Sequence, residues 1–140
     1  MGESITIQEK VNKILEYYKK FLELVKNISY DDYIEDYVKK IAIDKLIELI
    51  IETAISINNM ILKKENKETS PDYYNSFINL AEAGIIEIDF AIKIAPSTGL
   101  RNILVHQYEK VDDKKVYDSF NDIEVYYKEY IELIRKYFKF

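Results

Sequence analysis

Apolar residues recur every three or four positions along most of this 140-residue chain, the spacing that places them on one face of an α-helix. The pattern is clear in residues 6–27 and again, after a polar capping cluster at residues 29–32, through to Lys64. Glycine and proline number only 3 and 2, which is typical of long helices joined by short loops. The sequence therefore predicts an all-α, up-and-down helical bundle of four to six helices, built as a single domain over residues 1–140.

Capping and helix-breaking residues set the remaining boundaries. Ser70 and Pro71 are predicted to be the N-cap and first residue of a third helix, because proline's missing N–H costs nothing there. Pro96 is expected to stop the fourth helix. The third to sixth predicted helices cover residues 70–84, residues 85–95, a stretch that opens at 97–99 and contains residues 101 and 106, and residues 114–138.

The net charge and the absence of cysteine exclude several classes of function. The formal net charge of -5 has the wrong sign for a protein that holds nucleic acid by bulk electrostatics, so an RNA-binding role requires a local positive cleft. The absence of cysteine removes disulfides and thiol nucleophiles and fits a reducing compartment. The sequence has neither a run of ~18 apolar residues nor a basic-then-apolar leader. We therefore expect a cytoplasmic protein without a membrane partner.

One short segment concentrates the side chains suited to phosphate chemistry. Arg101 is one of two arginines in a chain rich in lysine, and His106 is the only histidine. Arginine presents a planar set of donors that suits phosphate, and histidine exchanges protons near neutral pH. At about 100° per residue, a helix would place both on one broad face together with Asn102 and Tyr108. This combination indicates a site that grips a phosphodiester while a neighbouring group moves a proton.

Simpler explanations apply to each of these residues. A lone histidine on a helix is more often a surface residue than a catalyst, Arg101 could serve as an ion-pair partner, and Tyr108 is one of 13 tyrosines. A carboxylate metal site is a further candidate. Such sites in helical bundles pair glutamate with a histidine one turn away, and the only histidine is far in sequence from the acidic residues, so we expect no metal and no cofactor. The acidic residues considered are Glu48, Glu52, Glu82, Glu87 and Asp89.

The string from Gly99 to Tyr108, GLRNILVHQY, resembles the motif of the HEPN superfamily and, within it, of the HepT branch. That branch is defined by arginine, four residues, histidine, any residue and tyrosine. Residues 48–58, residues 70–86 and the segment after the motif are similar in the same order, so the resemblance extends from about residue 41 to the C-terminus. Because several ordered segments agree, the resemblance is far more specific than the short motif alone.

The resemblance implies a cytoplasmic, metal-independent ribonuclease toxin whose partner is a nucleotidyltransferase antitoxin of the MNT type. It also implies a homodimer in which two copies of the motif line one RNA-binding cleft. Carried over by position, Arg101 would bind and polarise the scissile phosphate, His106 would transfer protons, and Asn102 would orient the phosphate or the histidine. Tyr108 matches the tyrosine that the antitoxin modifies with AMP.

Two other functions stay open at this point. The first is a non-catalytic module that binds nucleotide or RNA beside a nucleotidyltransferase. The second is a purely structural helical dimer that serves as a scaffold.

Overall fold

The fold follows from the helical periodicity of the chain. A computed structural model describes residues 2–69, 71–106 and 112–140, with side chains from Thr6 onward, and within these ranges the regular structure is entirely helical. This confirms the predicted all-α class. None of the helices described in these ranges combines the length and apolarity needed to cross a bilayer. The helices are α1 (Gly2–Val25), α2 (Tyr30–Glu35), α3 (Tyr37–Lys64), α4 (Tyr73–Glu82), α5 (Ile88–Ile94), α6 (Thr98–Val105), α7 (Asp113–Asp118) and α8 (Phe120–Phe138).

The long helix α3 lies at the centre of the bundle. It packs against α1 along much of its length, and it also contacts α2, α4 and α6. Helix α3 buries many isoleucine side chains, and removing their apolar area from water is the main favourable term in folding. The isoleucines of α3 that are fully buried are Ile43, Ile47, Ile50, Ile51, Ile57 and Ile61.

The prediction of one continuous helix between residues 29 and 64 is wrong, because this range forms two helices, α2 and α3. The backbone of Asp36 is extended, with φ -88° and ψ 91°, and this ends α2. The Asp36 carboxylate then accepts a hydrogen bond from the backbone N–H of Lys39 at 3.1 Å. Aspartate is among the strongest N-cap residues, so it starts a new helix here. The expected end of this helix at Lys64 is confirmed.

The start of α4 also differs from the prediction. The N-cap is Asp72, whose carboxylate accepts a hydrogen bond from the backbone N–H of Tyr74 at 3.0 Å, and Pro71 precedes the helix. Ser70, the predicted N-cap, lies outside the described residues. At the other end, Gly84 has φ +79°, a conformation that favours glycine and closes the helix near the expected position.

One predicted boundary is confirmed and another is corrected. Helix α5 ends at Ile94, just before Pro96, as expected, and a 3₁₀ turn (Ala95–Ser97) then leads into α6. The predicted closing helix is interrupted at Ser119, whose hydroxyl donates a hydrogen bond to the carbonyl of Val116 at 2.6 Å. These breaks give eight helices in the described ranges instead of four to six.

A buried polar cluster fixes the register of α3, α4 and α8. The amide of Asn58 donates to the Ser76 hydroxyl at 3.1 Å, and the Tyr130 hydroxyl donates to the Asn58 carbonyl oxygen at 2.6 Å. Burial raises the pKa of Tyr130 well above its usual value, which keeps this hydroxyl protonated as a donor. Breaking such a buried bond leaves an unsatisfied polar group, at a cost of about 1–3 kcal/mol. The cluster therefore fixes α4, which begins at Tyr73, and α8 against α3.

Candidate active site

Helix α6 carries Arg101 and Asn102 and ends at His106. Leu100 and Leu104 are buried and anchor the helix against the core, and α6 packs mainly against α3. Since a helix turns by about 100° per residue, Asn102 and His106 lie roughly opposite these anchors, whereas Arg101 lies at the flank of the helix. Arg101 is half-buried, while Asn102 and His106 are exposed.

Arg101 is held by two other helices. Its Nε donates a hydrogen bond to Glu52 Oε1 on α3 at 3.0 Å, which makes a salt bridge. Its guanidinium carbon lies 4.9 Å from the centroid of the Tyr73 ring, at the start of α4. The side chain keeps 26% of its surface exposed. In residues 2–69, 71–106 and 112–140, only Glu52 accepts a hydrogen bond from this guanidinium, so the terminal nitrogens can serve as donors to an anion.

His106 occupies the end of α6. The prediction placed it inside the helix, but it is the C-cap, with φ -99° and ψ 42°. Asn102 lies four residues earlier and therefore one helical turn away on the same outer side. Both side chains are exposed, so a substrate can reach them from solvent.

Tyr108 lies outside the described residues. The expectation that it shares a face with Arg101 is therefore still a prediction from the sequence.

Two residues of this site escaped the sequence prediction. Glu52 was considered only as a metal ligand, and the structure instead makes it the ion-pair partner of Arg101. Tyr73 had no distinguishing feature among the many tyrosines. The sequence around Tyr73 did not predict its contact with Arg101, because that contact joins two helices that are separate in sequence. The one available clue was the rare arginine itself, which could be expected to form an ion pair with an acidic residue such as Glu52.

The acidic residues considered for a metal site do not converge in the described part of the chain. No group of three or more histidine, cysteine or acidic side chains with the geometry of a metal site occurs there. Glu48 pairs with Lys45 at 3.2 Å, and Glu52 pairs with Arg101. Glu82, Glu87 and Asp89 are exposed.

The outer side of α6 is an open surface in a single chain. A cavity of about 500 Å³ lies on the other side of this helix, where Ser97 and Leu100 face α7 and α8. Arg101, Asn102 and His106 are not among the described residues that line it. This cavity is therefore separate from the surface that carries these three residues.

A comparison with known families covers most of this chain. The family model described as ribonuclease HepT-like matches residues 14–135. The chain belongs to the HepT-like family. The match spans α3 to α7, and so includes every helix that contributes to the Arg101 site.

Relatives of this HepT-like chain include named nucleases. A protein called tRNA nuclease HepT from Aphanizomenon flos-aquae is 35% identical over 129 residues, covering 92% of this chain and 85% of the relative. A putative RNase from Archaeoglobus fulgidus is 33% identical over 84 residues, covering 60% of this chain and 63% of the relative.

The fold is also shared with a solved toxin structure. The tri-AMPylated HEPN toxin of Shewanella oneidensis, solved in complex with an MNT antitoxin, superposes with a TM-score of 0.80. The superposition covers 93% of this chain and 96% of the toxin, at 21% sequence identity. The HepT-like chain therefore has the HEPN fold.

Proposed function

We propose that this protein is a metal-independent endoribonuclease toxin of a HepT/MNT toxin–antitoxin pair, acting in the cytoplasm. The observation that carries the proposal is the geometry of Arg101, whose Nε is held by Glu52 while His106 stands exposed at the end of the same helix. Membership of the HepT-like family supports it. The relative named as a tRNA nuclease makes tRNA the first substrate to test.

The proposed chemistry uses a nucleophile that RNA supplies. The ribose 2′-OH lies next to every phosphodiester linkage. His106 takes the 2′-OH proton as the oxygen attacks phosphorus, and the bond from phosphorus to the 5′ oxygen breaks. Arg101 neutralises the charge that builds on the phosphate oxygens, and Asn102 orients the phosphate or the histidine. The products end in a 2′,3′-cyclic phosphate and a 5′-hydroxyl.

The leaving 5′ oxygen needs a proton from a general acid. Each chain has one histidine, so the acid is the partner's His106, Tyr108 or water. A homodimer that lines one cleft with two copies of α6 provides the second histidine. It also provides a second arginine, which makes a positive slot on a protein of net charge -5.

An exposed apolar patch on α3 supports such a dimer. Tyr37 is 71% exposed, Val38 is 78% exposed and Ile41 is 46% exposed. Ile41 precedes Glu52 by about three helical turns, so the patch and the partner of Arg101 lie on the same face of α3. An interface of standard size covers about 800 Å² per partner and is wide enough to include both. We assign the second copy of this chain to the patch.

A charge placed in the patch should separate the protomers. Val38→Glu is expected to give a monomer in analytical ultracentrifugation and to lose RNA cleavage, because a buried unpaired carboxylate is costly at an interface. Ile92→Glu is the matched control, since Ile92 is 53% exposed on α5 and away from the patch. A Val38→Glu protein that is still dimeric would exclude this surface, and a wild-type monomer that cleaves RNA would exclude the dimeric site.

The nuclease proposal is tested with the purified protein. Incubation with total tRNA in excess EDTA should yield fragments with 2′,3′-cyclic phosphate and 5′-hydroxyl ends, identified by end-specific labelling. Cleavage that requires an added divalent ion would remove the metal-independent mechanism. RNA binding without any cleavage would favour the non-catalytic binding partner instead.

We further propose that the antitoxin inactivates the toxin by transferring AMP to the Tyr108 hydroxyl. The added phosphate is a bulky anion close in sequence to Arg101 and would compete with the substrate phosphate for it. Mass spectrometry after co-expression with the cognate nucleotidyltransferase should locate AMP on Tyr108. The Tyr108→Phe protein should escape both modification and inactivation. An inactivated complex in which Tyr108 is unmodified would contradict this proposal.

A further inference from the structure

Tyr73 is placed firmly at the start of α4. The Asp72 carboxylate caps this helix by accepting hydrogen bonds from the backbone N–H of Tyr74 and the side-chain amide of Asn75, both at 3.0 Å. The carbonyl of Tyr73 accepts a hydrogen bond from the Ser76 hydroxyl at 2.9 Å, and the amide of Asn58 on α3 in turn donates to that hydroxyl. The Tyr73 ring is half-buried against the core. Its position is therefore set by two helices rather than by a loop.

The ring and the Glu52 carboxylate hold the guanidinium of Arg101 in different ways. The ring lies 4.9 Å from the guanidinium carbon, a distance at which the aromatic face attracts the cation. The carboxylate accepts a hydrogen bond from Nε, which lies on the edge of the guanidinium. A hydrogen bond at the edge and a ring contact together restrict both the direction and the plane of this group.

This restriction determines which donors a substrate can use. With Nε engaged by Glu52, a phosphate must be bound by the terminal nitrogens, the arrangement that suits bidentate recognition. A long arginine side chain on a helix surface otherwise samples many rotamers, and only some of them would serve a phosphate. Fixing the guanidinium before the substrate arrives favours the transition state, because no reorganisation is needed as charge develops.

We propose that Tyr73 is a positioning residue that orients the guanidinium of Arg101 for the scissile phosphate. The proposal rests on the proposed nuclease function of this site. Tyr73 acts through Arg101 and through its aromatic face, and its hydroxyl has no part in this role. Phenylalanine should therefore replace it, and an aliphatic residue should not.

The test compares variants of the full-length protein in single-turnover cleavage of tRNA. Tyr73→Leu should lower the rate constant about tenfold, the effect of losing one cation–aromatic contact, with the half-saturating RNA concentration changed less than about twofold. Tyr73→Phe should stay within about twofold of the wild-type rate. Tyr74→Leu is the matched control, because Tyr74 is the exposed neighbour on the same helix. Equal losses in Tyr73→Phe and Tyr73→Leu would overturn the proposal.

A double-mutant cycle separates positioning from general loss of structure. In an Arg101→Lys background there is no guanidinium to orient, so Tyr73→Leu should change the rate less than about twofold. A further tenfold loss there would show that the ring acts elsewhere and would overturn the proposal. Tyr73→Met, whose flexible unbranched side chain fills irregular space but has no ring, replaces Tyr73→Leu if that protein fails to fold. Wild-type cleavage by Arg101→Ala would refute the nuclease site, whereas an inactive Arg101→Ala protein beside a fully active Tyr73→Leu protein would refute only the role of Tyr73.

Discussion

Replacing His106 with alanine is expected to lower the single-turnover rate of RNA cleavage by about 10²–10⁴-fold, the usual contribution of a positioned general acid or base. The loss should be the same in excess EDTA. His106 is exposed at the end of α6, so its removal should leave the fold and the melting temperature nearly unchanged. A His106→Ala protein that cleaves RNA at the wild-type rate would contradict the proposed mechanism.

His106→Gln provides the matched comparison at the same position. Glutamine keeps a polar side chain of similar reach but does not exchange protons near neutral pH. If His106 transfers protons, glutamine and alanine should be equally inactive. If the residue only caps the helix or contacts the RNA, glutamine should restore much of the rate, and the non-catalytic reading of the site would gain support.

Replacing Arg101 with alanine is expected to lower the same rate by about 10²–10³-fold, as the loss of one donor to a developing oxyanion does in other enzymes. The positive slot between two protomers would also disappear, so RNA binding should weaken and become less sensitive to salt. The fold should persist, because the Glu52 side chain left without its partner is 36% exposed and can be solvated. Gel-based cleavage assays and binding titrations at two salt concentrations measure both effects.

Two control variants show which property of Arg101 accounts for the loss of cleavage rate. Arg101→Lys keeps the charge but lacks Nε and the planar set of donors, so its rate should fall between wild type and Arg101→Ala. Arg135→Ala removes the chain's other arginine, which is exposed on α8, and should have the wild-type rate. Full activity in Arg101→Lys would reduce the role of Arg101 to its charge and would remove the need for the contacts with Glu52 and Tyr73.

The helical class and the approximate extent of α1 and α3 could be predicted from the chain, because apolar periodicity reports which face of a helix is buried. Helix breaks were predicted less well. Asp36 caps a new helix within a continuous apolar pattern, and Ser119 interrupts another, since one capping residue changes the local path without disturbing the periodicity. Pro96 was predicted correctly as the end of a helix, since α5 ends at Ile94, but the 3₁₀ turn that contains it was not predicted.

The amino-acid sequence was sufficient to identify Arg101, His106 and Asn102 as candidates, because arginine and histidine are rare in this chain and all three residues lie within one short helical segment. Only the tertiary structure brought Glu52 and Tyr73 to the guanidinium. Glu52 is 49 residues away from Arg101 in the chain, and the hydrogen bond between Asn58 and Ser76 fixes α4, which carries Tyr73, against α3, which carries Glu52. The spacing of apolar and polar residues along a segment is enough to predict which side chains share a helix face. Contacts between helices depend on how the whole core packs, and no short segment of the chain specifies that.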